Sequence, residues 1–265
     1  MALIHPTSVV DPNTSLAEDV RIGPFCVVGP GVTLHQGVTL HNHVVIQADT
    51  TIGEGTTLWP FSCLGASPQD RKYRGEVSLL RVGRYCHIRE HVTIHRGTAA
   101  GGGITRIGDR CLLMVGAHVA HDCQLGEGVI LANGAALAGH VQVGAGAAVG
   151  GLAGIHQHCR VGDLAMVGAG AMVSMDVVPF GLVQGDRARL VGLNRTGLVR
   201  AGRNKEELER LTQMFRLLFR AGLPLTLARE RLEQDFPPGA DRDLLLKFLG
   251  EVTRGLCRPR HRESA

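Results

Sequence analysis

Residues 118–159 read HVAHDCQLGEGVILANGAALAGHVQVGAGAAVGGLAGIHQHC, and within them Val119, Leu125, Leu131, Leu137, Val143, Val149 and Ile155 fall six residues apart. A period of six matches neither the 3.6 of a helix nor the 2 of an amphipathic strand. It matches a triangular solenoid with one hexad per face and three per coil, the repeated aliphatic residue pointing inward.

Followed outward, the same phase starts at Ile4 and runs to Leu58, returns at Val82, Ile88 and Ile94, and resumes from Ile107 to Val173. Runs of ten, three and twelve give 25 complete hexads, or between eight and nine coils. Counted from the aliphatic residue, position five is small or β-branched throughout, as at Cys26, Val32, Thr98, Ala117, Cys123 and Ala135. Such a residue must fit beside position one in a cramped interior. Position two is often Gly, as at Gly23, Gly29, Gly108, Gly126 and Gly144, which suits a tight turn. The pattern therefore specifies a mainly β chain with coils stacked at about 4.8 Å; it resembles the left-handed parallel β-helix of hexapeptide-repeat proteins, the fold expected for residues 1–180.

Composition agrees. Gly is abundant at 36 residues while aromatics are 4% of the chain, which suits a narrow core of small and branched aliphatic groups. The formal charge of +4 is too mild and dispersed to favour nucleic acid. Neither a leader peptide nor a transmembrane segment is legible, so a soluble, cytoplasmic protein is expected. Five of the seven cysteines stand at position five as buried hydrophobes, and Cys63 and Cys257 have no CxxC partner. Disulfides and cysteine chemistry are not expected.

Two interruptions break the phase. Residues 65–81 carry Asp70, Arg71, Lys72 and Arg74 and read as a protruding segment that covers substrate; residues 100–106, AGGGITR, form a shorter Gly-rich excursion. After Pro179 the period changes, and residues 181–265 read as a linker and an α-helical cap. Asn204 and Glu207 have capping spacing, Leu208, Leu211, Phe215 and Leu218 form a helical stripe, and 225–234 and 241–253 read as two more helices. Arg200, Arg203, Arg210, Arg216 and Arg220 make the cap's first part basic and fit an acidic partner.

Residues 18 apart lie on neighbouring coils at the same angle. His121 therefore stands over Gly139 and Gly139 over Gln157, with His118, His140, His156 and His158 alongside and Asp122 adjacent. None of these histidines is at position one or five, so none belongs in the core. Three chemistries fit. One His could be a general base with the Gly139 N–H as an oxyanion donor. Three could bind Zn²⁺. Or the cluster could line a trimer seam.

The stretches IGPFCVVGP (22–30), HIREHVTIHRGT (87–98), GGGITRIG (101–108), HVAHDC (118–123), ILANGAALAGHV (130–141), GGLAGIHQHC (150–159) and TRGLCR (253–258) resemble the UDP-N-acetylglucosamine O-acyltransferases that begin lipid A synthesis. The order HxxHDC, LAGH, IHQ is highly specific. The resemblance implies a homotrimer with sites between subunits, transferring an (R)-3-hydroxyacyl group from acyl carrier protein to the glucosamine 3-hydroxyl of UDP-GlcNAc, with no cofactor and no metal. It implies that His121 is the general base, Asp122 its orienting neighbour and Gly139 the oxyanion donor. By the same likeness Gln69, Asp70, Lys72, His118, His140, His156 and Gln157 bind substrate, Asn194 and Arg200 serve the nucleotide end, and Ala169 limits acyl length. Thr196 and Ala201 depart from the pattern at that nucleotide end. The related N-acyltransferases normally carry an extra N-terminal domain, for which a repeat starting at Ile4 leaves no room; a hydroxyl or an amino acceptor both remain open.

Overall fold

The computed structural model describes residues 1–259. It is a three-faced prism whose faces are sheets of eleven, nine and eight strands, parallel except for the last pairing of the eleven, and the strands of the prism pass from face to face. Most strands are two residues long and consist of positions six and one of a hexad, as in His118–Val119. Position six faces out and position one faces in: Val119, Leu137 and Ile155 are buried, as are Ala117, Cys123 and Ala135 at position five. Leu3 and Ile4, on the first described coil, are exposed.

The pairing step between coils is 18 residues, as in Val119↔Leu137↔Ile155. It lengthens to 30 at Thr57↔His87 and to 25 at Arg81↔Arg106, where the two insertions leave the prism. Glycine at position two does not make the turn. Those residues keep negative φ, and a Cβ on Gly108 would lie 2.6 Å from the Gly126 carbonyl. They are glycines because the next coil is too close. The left-handed turn residue is at position four instead: Asp122 (φ 62°), His140 (φ 63°) and His158 (φ 63°) all adopt it.

The stretch read as linker holds structure. Gly181–Gln184 adds to the first face, and Arg189–Leu193 turns back antiparallel to it. Four helices follow: α1 (Arg195–Arg200), α2 (Lys205–Arg220), α3 (Leu225–Asp235) and α4 (Ala240–Gly250). The expected α2 starts with the Asn204–Glu207 capping box and buries Leu208, Leu211, Met214, Phe215 and Leu218. The short α1 carries no apolar stripe long enough to be read from the sequence. Arg203 is not free for a partner, since it ties Glu207 (2.9 Å) to Asp241 of α4 (2.7 Å). The tail then returns to the prism: Asp176 N–H donates to the Gly255 carbonyl (2.9 Å) and Cys257 N–H to that of Asp176 (2.8 Å). Residues 260–265, counted with the cap in the sequence reading, lie outside the described residues. Among the described residues no helix is long and apolar enough to cross a membrane.

Candidate active site

The hexad phase fixes where the chemistry-bearing side chains project. His121, Gly139 and Gln157 occupy position three, at the corner that follows the nine-stranded face. The corner is stitched by His140 N–H to the His121 carbonyl (3.0 Å) and by His158 N–H to that of Gly139 (3.1 Å). The Gly139 N–H donates to no acceptor among the described residues. The His121 ring packs against Gly139, where a Cβ would come within 2.7 Å of Nε2. Only glycine leaves room for the imidazole.

Asp122 is the anchor. At position four its left-handed backbone turns the carboxylate back toward the prism, where its side chain is 1% exposed. Thr98 supplies two donors, its N–H to Oδ1 (2.8 Å) and its hydroxyl to Oδ2 (2.7 Å). The second insertion closes over the pair. Gly101 N–H donates to the Thr98 hydroxyl oxygen (3.2 Å), a Cβ on Gly101 would strike the Asp122 carboxylate, and Asp122 N–H donates to Thr105 Oγ1 (2.8 Å). The short excursion is thus the cover that buries the anchoring carboxylate. Thr98 stands at position five and reads as core in the sequence. The signal for its role was its place directly before a Gly-rich insertion.

His121 Nδ1 lies 2.8 Å from Asp122 Oδ2. A carboxylate can only accept, so in the neutral ring Nδ1 carries the proton and the lone pair is on Nε2, beside Gly139. Around this pair burial works against charging His118 and His140. His118 shares a hydrogen bond with the Thr93 hydroxyl (2.7 Å), and burial lowers its pKa. Burial is also the main cause for His140, which meets His121 edge-on and stacks on His158 with centroids 4.4 Å apart; Asp122 and Asp70 pull the other way. His121, Asp122 and His140 are the described group spaced to hold a metal ion, their ligand atoms within 4.8 Å. The Asp122 oxygens already accept from three donors, so a cation there would have to displace one.

His95, not singled out from the sequence, is buried against His118 (centroids 5.1 Å), and its Nδ1 has no partner. Burial, aided by His118 and His121, lowers its pKa to about 4. In the unfolded chain it titrates near 6.5. The unfolded state therefore binds the extra proton between these values, and stability present above about pH 6.5 is lost as pH falls toward 4. Thermal melts of wild type and His95→Leu over that range are expected to diverge by up to roughly 3 kcal/mol, with the variant flatter. Parallel curves would remove the assignment.

An open groove of about 1370 Å³ runs down this face from the histidines to the tail. Gln69, His118, His121, Gly139, His156 and Gln157 line its upper part, so the first insertion does reach the site through Gln69. His156 Nδ1 donates to the Gln157 carbonyl (3.2 Å). Asp70 and Lys72 follow Gln69 in the loop, where Lys72 N–H donates to Asp70 Oδ1 (2.9 Å). Neither Asp70 nor Lys72 lines the groove, and three further residues stand apart from it within one chain. Asn194 caps α1, accepting from Gly197 N–H (3.1 Å) and donating to the Leu164 carbonyl (2.9 Å). Arg200 is exposed at the end of the same helix, and Ala169 is exposed at the corner after the eleven-stranded face.

Two family models match the chain: "Udp N-acetylglucosamine O-acyltransferase; Domain 2" over residues 176–257 and the six-repeat bacterial transferase hexapeptide over 104–139. The acyl-[acyl-carrier-protein]--UDP-N-acetylglucosamine O-acyltransferase of Azorhizobium caulinodans is 50% identical, the match covering 98% of this chain and 96% of that protein. The Myxococcus xanthus enzyme of the same name is 48% identical, with 97% and 100% covered. Among solved structures, UDP-N-acetylglucosamine O-acyltransferase from Moraxella catarrhalis superposes with a TM-score of 0.94 at 38% identity, covering 96% of this chain and 99% of that one. The Arabidopsis UDP-N-acetylglucosamine acyltransferase does so at 0.84 and 32%, covering 97% and 100%.

Proposed function

Since the chain belongs to the UDP-N-acetylglucosamine O-acyltransferases, we propose that His121 drives transfer of an (R)-3-hydroxyacyl group from acyl carrier protein to the glucosamine 3-hydroxyl of UDP-GlcNAc, the opening step of lipid A synthesis. His121 Nε2 takes the proton of the sugar hydroxyl as its oxygen attacks the thioester carbonyl. The Gly139 N–H donates to the oxyanion so formed. Collapse forms the ester, breaks the C–S bond and expels the carrier's thiolate, which recovers the proton from the imidazolium. Asp122 holds the ring in the tautomer that leaves Nε2 basic and steadies the cation between the two transfers. A thioester is already activated, so no covalent enzyme intermediate is needed.

The observation that carries this reading is the 2.8 Å His121–Asp122 pair with its imidazole packed against Gly139, whose N–H has no partner among the described residues. The chain works as a cytoplasmic homotrimer. That arrangement suits the three matching residues that stand apart in a single chain, because a neighbouring copy can present its Asn194, Arg200 and Ala169 to the groove that holds His121. Gln69, Asp70, Lys72, His118, His140, His156 and Gln157 surround the two substrates. The test is mass spectrometry of products after incubating UDP-GlcNAc with a ladder of (R)-3-hydroxyacyl carrier-protein thioesters. A monoacylated nucleotide sugar, esterified at O3, is expected. Absence of acyl product from every thioester overturns the reading.

A further inference from the structure

We infer that Met172 ends the trough in which the acyl chain lies and thereby limits the chain length that is transferred; the inference rests on the acyl-transfer reading above. The outward positions of the nine-stranded face pair in the order His118↔Ala136, Ala136↔Gly154 and Gly154↔Met172. Below the histidines, then, two successive rungs carry a methyl group and a hydrogen, and Ala136, Gly154 and Met172 all line the groove. A smooth apolar channel about 5 Å long per rung results. The third rung reverses this. Met172 is 47% exposed, and a Cβ on Gly154 would lie 2.9 Å from its sulfur. The thioether is thus folded back up the channel and lies across the rung that Gly154 leaves empty.

The backbone at Met172 cannot withdraw. Its N–H donates to the Gly185 carbonyl (3.0 Å) and its own carbonyl accepts from Ala188 N–H (2.9 Å), so the prism continues on one side and the turn before the hairpin's return strand on the other. Past it the lining changes from bare rungs to bulky and charged side chains, among them Met175, Asp186, Arg187 and Leu256. An exposed, flexible thioether in a position where the two preceding rungs are nearly bare is well placed to contact an apolar tail. Ala169, at another corner of the prism, can reach this channel only from a second copy.

One rung, at about 4.8 Å, is the length of about four methylene groups of an extended chain. Clearing Met172 from the Gly154 rung should therefore lengthen the preferred chain by two to four carbons. The experiment measures kcat/KM for a ladder of (R)-3-hydroxyacyl carrier-protein thioesters with wild type, Met172→Ala, Met172→Val and Met172→Leu. Met172→Ala is expected to raise kcat/KM for a thioester four carbons beyond the wild-type optimum by at least about tenfold, in line with what methylene-sized changes do in apolar pockets. Met172→Val should shift the profile part of the way, and Met172→Leu should keep the wild-type optimum. Since Met172 is half-exposed and outside the core, folded protein is expected for all three, checked by unchanged thermal melts. If wild type transfers acyl groups but both shortened variants keep its chain-length profile, the inference fails while the reaction stands. If wild type transfers none, both fall.

Discussion

His121→Ala is expected to lower kcat by about 10³-fold, while the KM for UDP-GlcNAc changes by no more than a few-fold. The asymmetry follows from what the ring and the Gly139 N–H do under the proposed function. Its general-base contribution is made only as the sugar hydroxyl loses its proton, and such contributions are worth about 10²–10⁴ in rate. The Gly139 N–H and the groove remain, so substrate binding and oxyanion stabilisation persist. The fold is not at stake: His121 stands at a corner outside the aliphatic core, with its side chain 13% exposed. Steady-state kinetics on the purified protein, with a thermal melt as a control, decide the matter. A variant with near-wild-type kcat would remove the base. A variant that loses binding and not turnover would make His121 a contact residue only.

Much of this site was legible because a solenoid converts numbering into position. Once Val119, Leu137 and Ile155 set the phase, the stack of His121, Gly139 and Gln157 followed from the 18-residue coil, and the strand register agrees. The repeat was less informative wherever a residue answers to a non-repeating neighbour. Thr98 obeys the position-five rule and yet spends its hydroxyl on Asp122, a partner 24 residues away. His95 gives no hint in sequence that it is sealed against His118. The glycines of position two were misread as turn formers, since the pattern records that side chains are excluded there but not whether torsion or a neighbouring coil excludes them. The groove's lower end was the least legible. It is shaped by Met172 from the prism, the turn at 185–188 and the returning tail at Gly255–Arg258, three segments with no common period.

Asp122→Asn separates orientation from burial. It is expected to lower kcat by about 10²–10⁴-fold, comparable to Asp→Asn changes in Ser-His-Asp triads, with a much smaller effect on stability. Asn tolerates the left-handed backbone at 122 and fills the same volume. Its single oxygen can accept from the Thr98 N–H as Oδ1 does now, which turns the amide N–H₂ toward His121 Nδ1. An N–H cannot donate to an N–H, so the imidazole must move its proton to Nε2, the nitrogen that has to receive one from the sugar. The base is then present but in the wrong tautomer. Asp122→Ala differs: it strands the Thr98 N–H and hydroxyl in a buried site with no acceptor, each at a cost of about 1–3 kcal/mol. That variant should melt several degrees lower as well as lose activity. The two substitutions together make the role decidable. Equal losses of kcat with unequal melts support orientation by the carboxylate. Unimpaired turnover in Asp122→Asn, whose carboxylate is gone but whose shape is kept, would show that His121 acts without it.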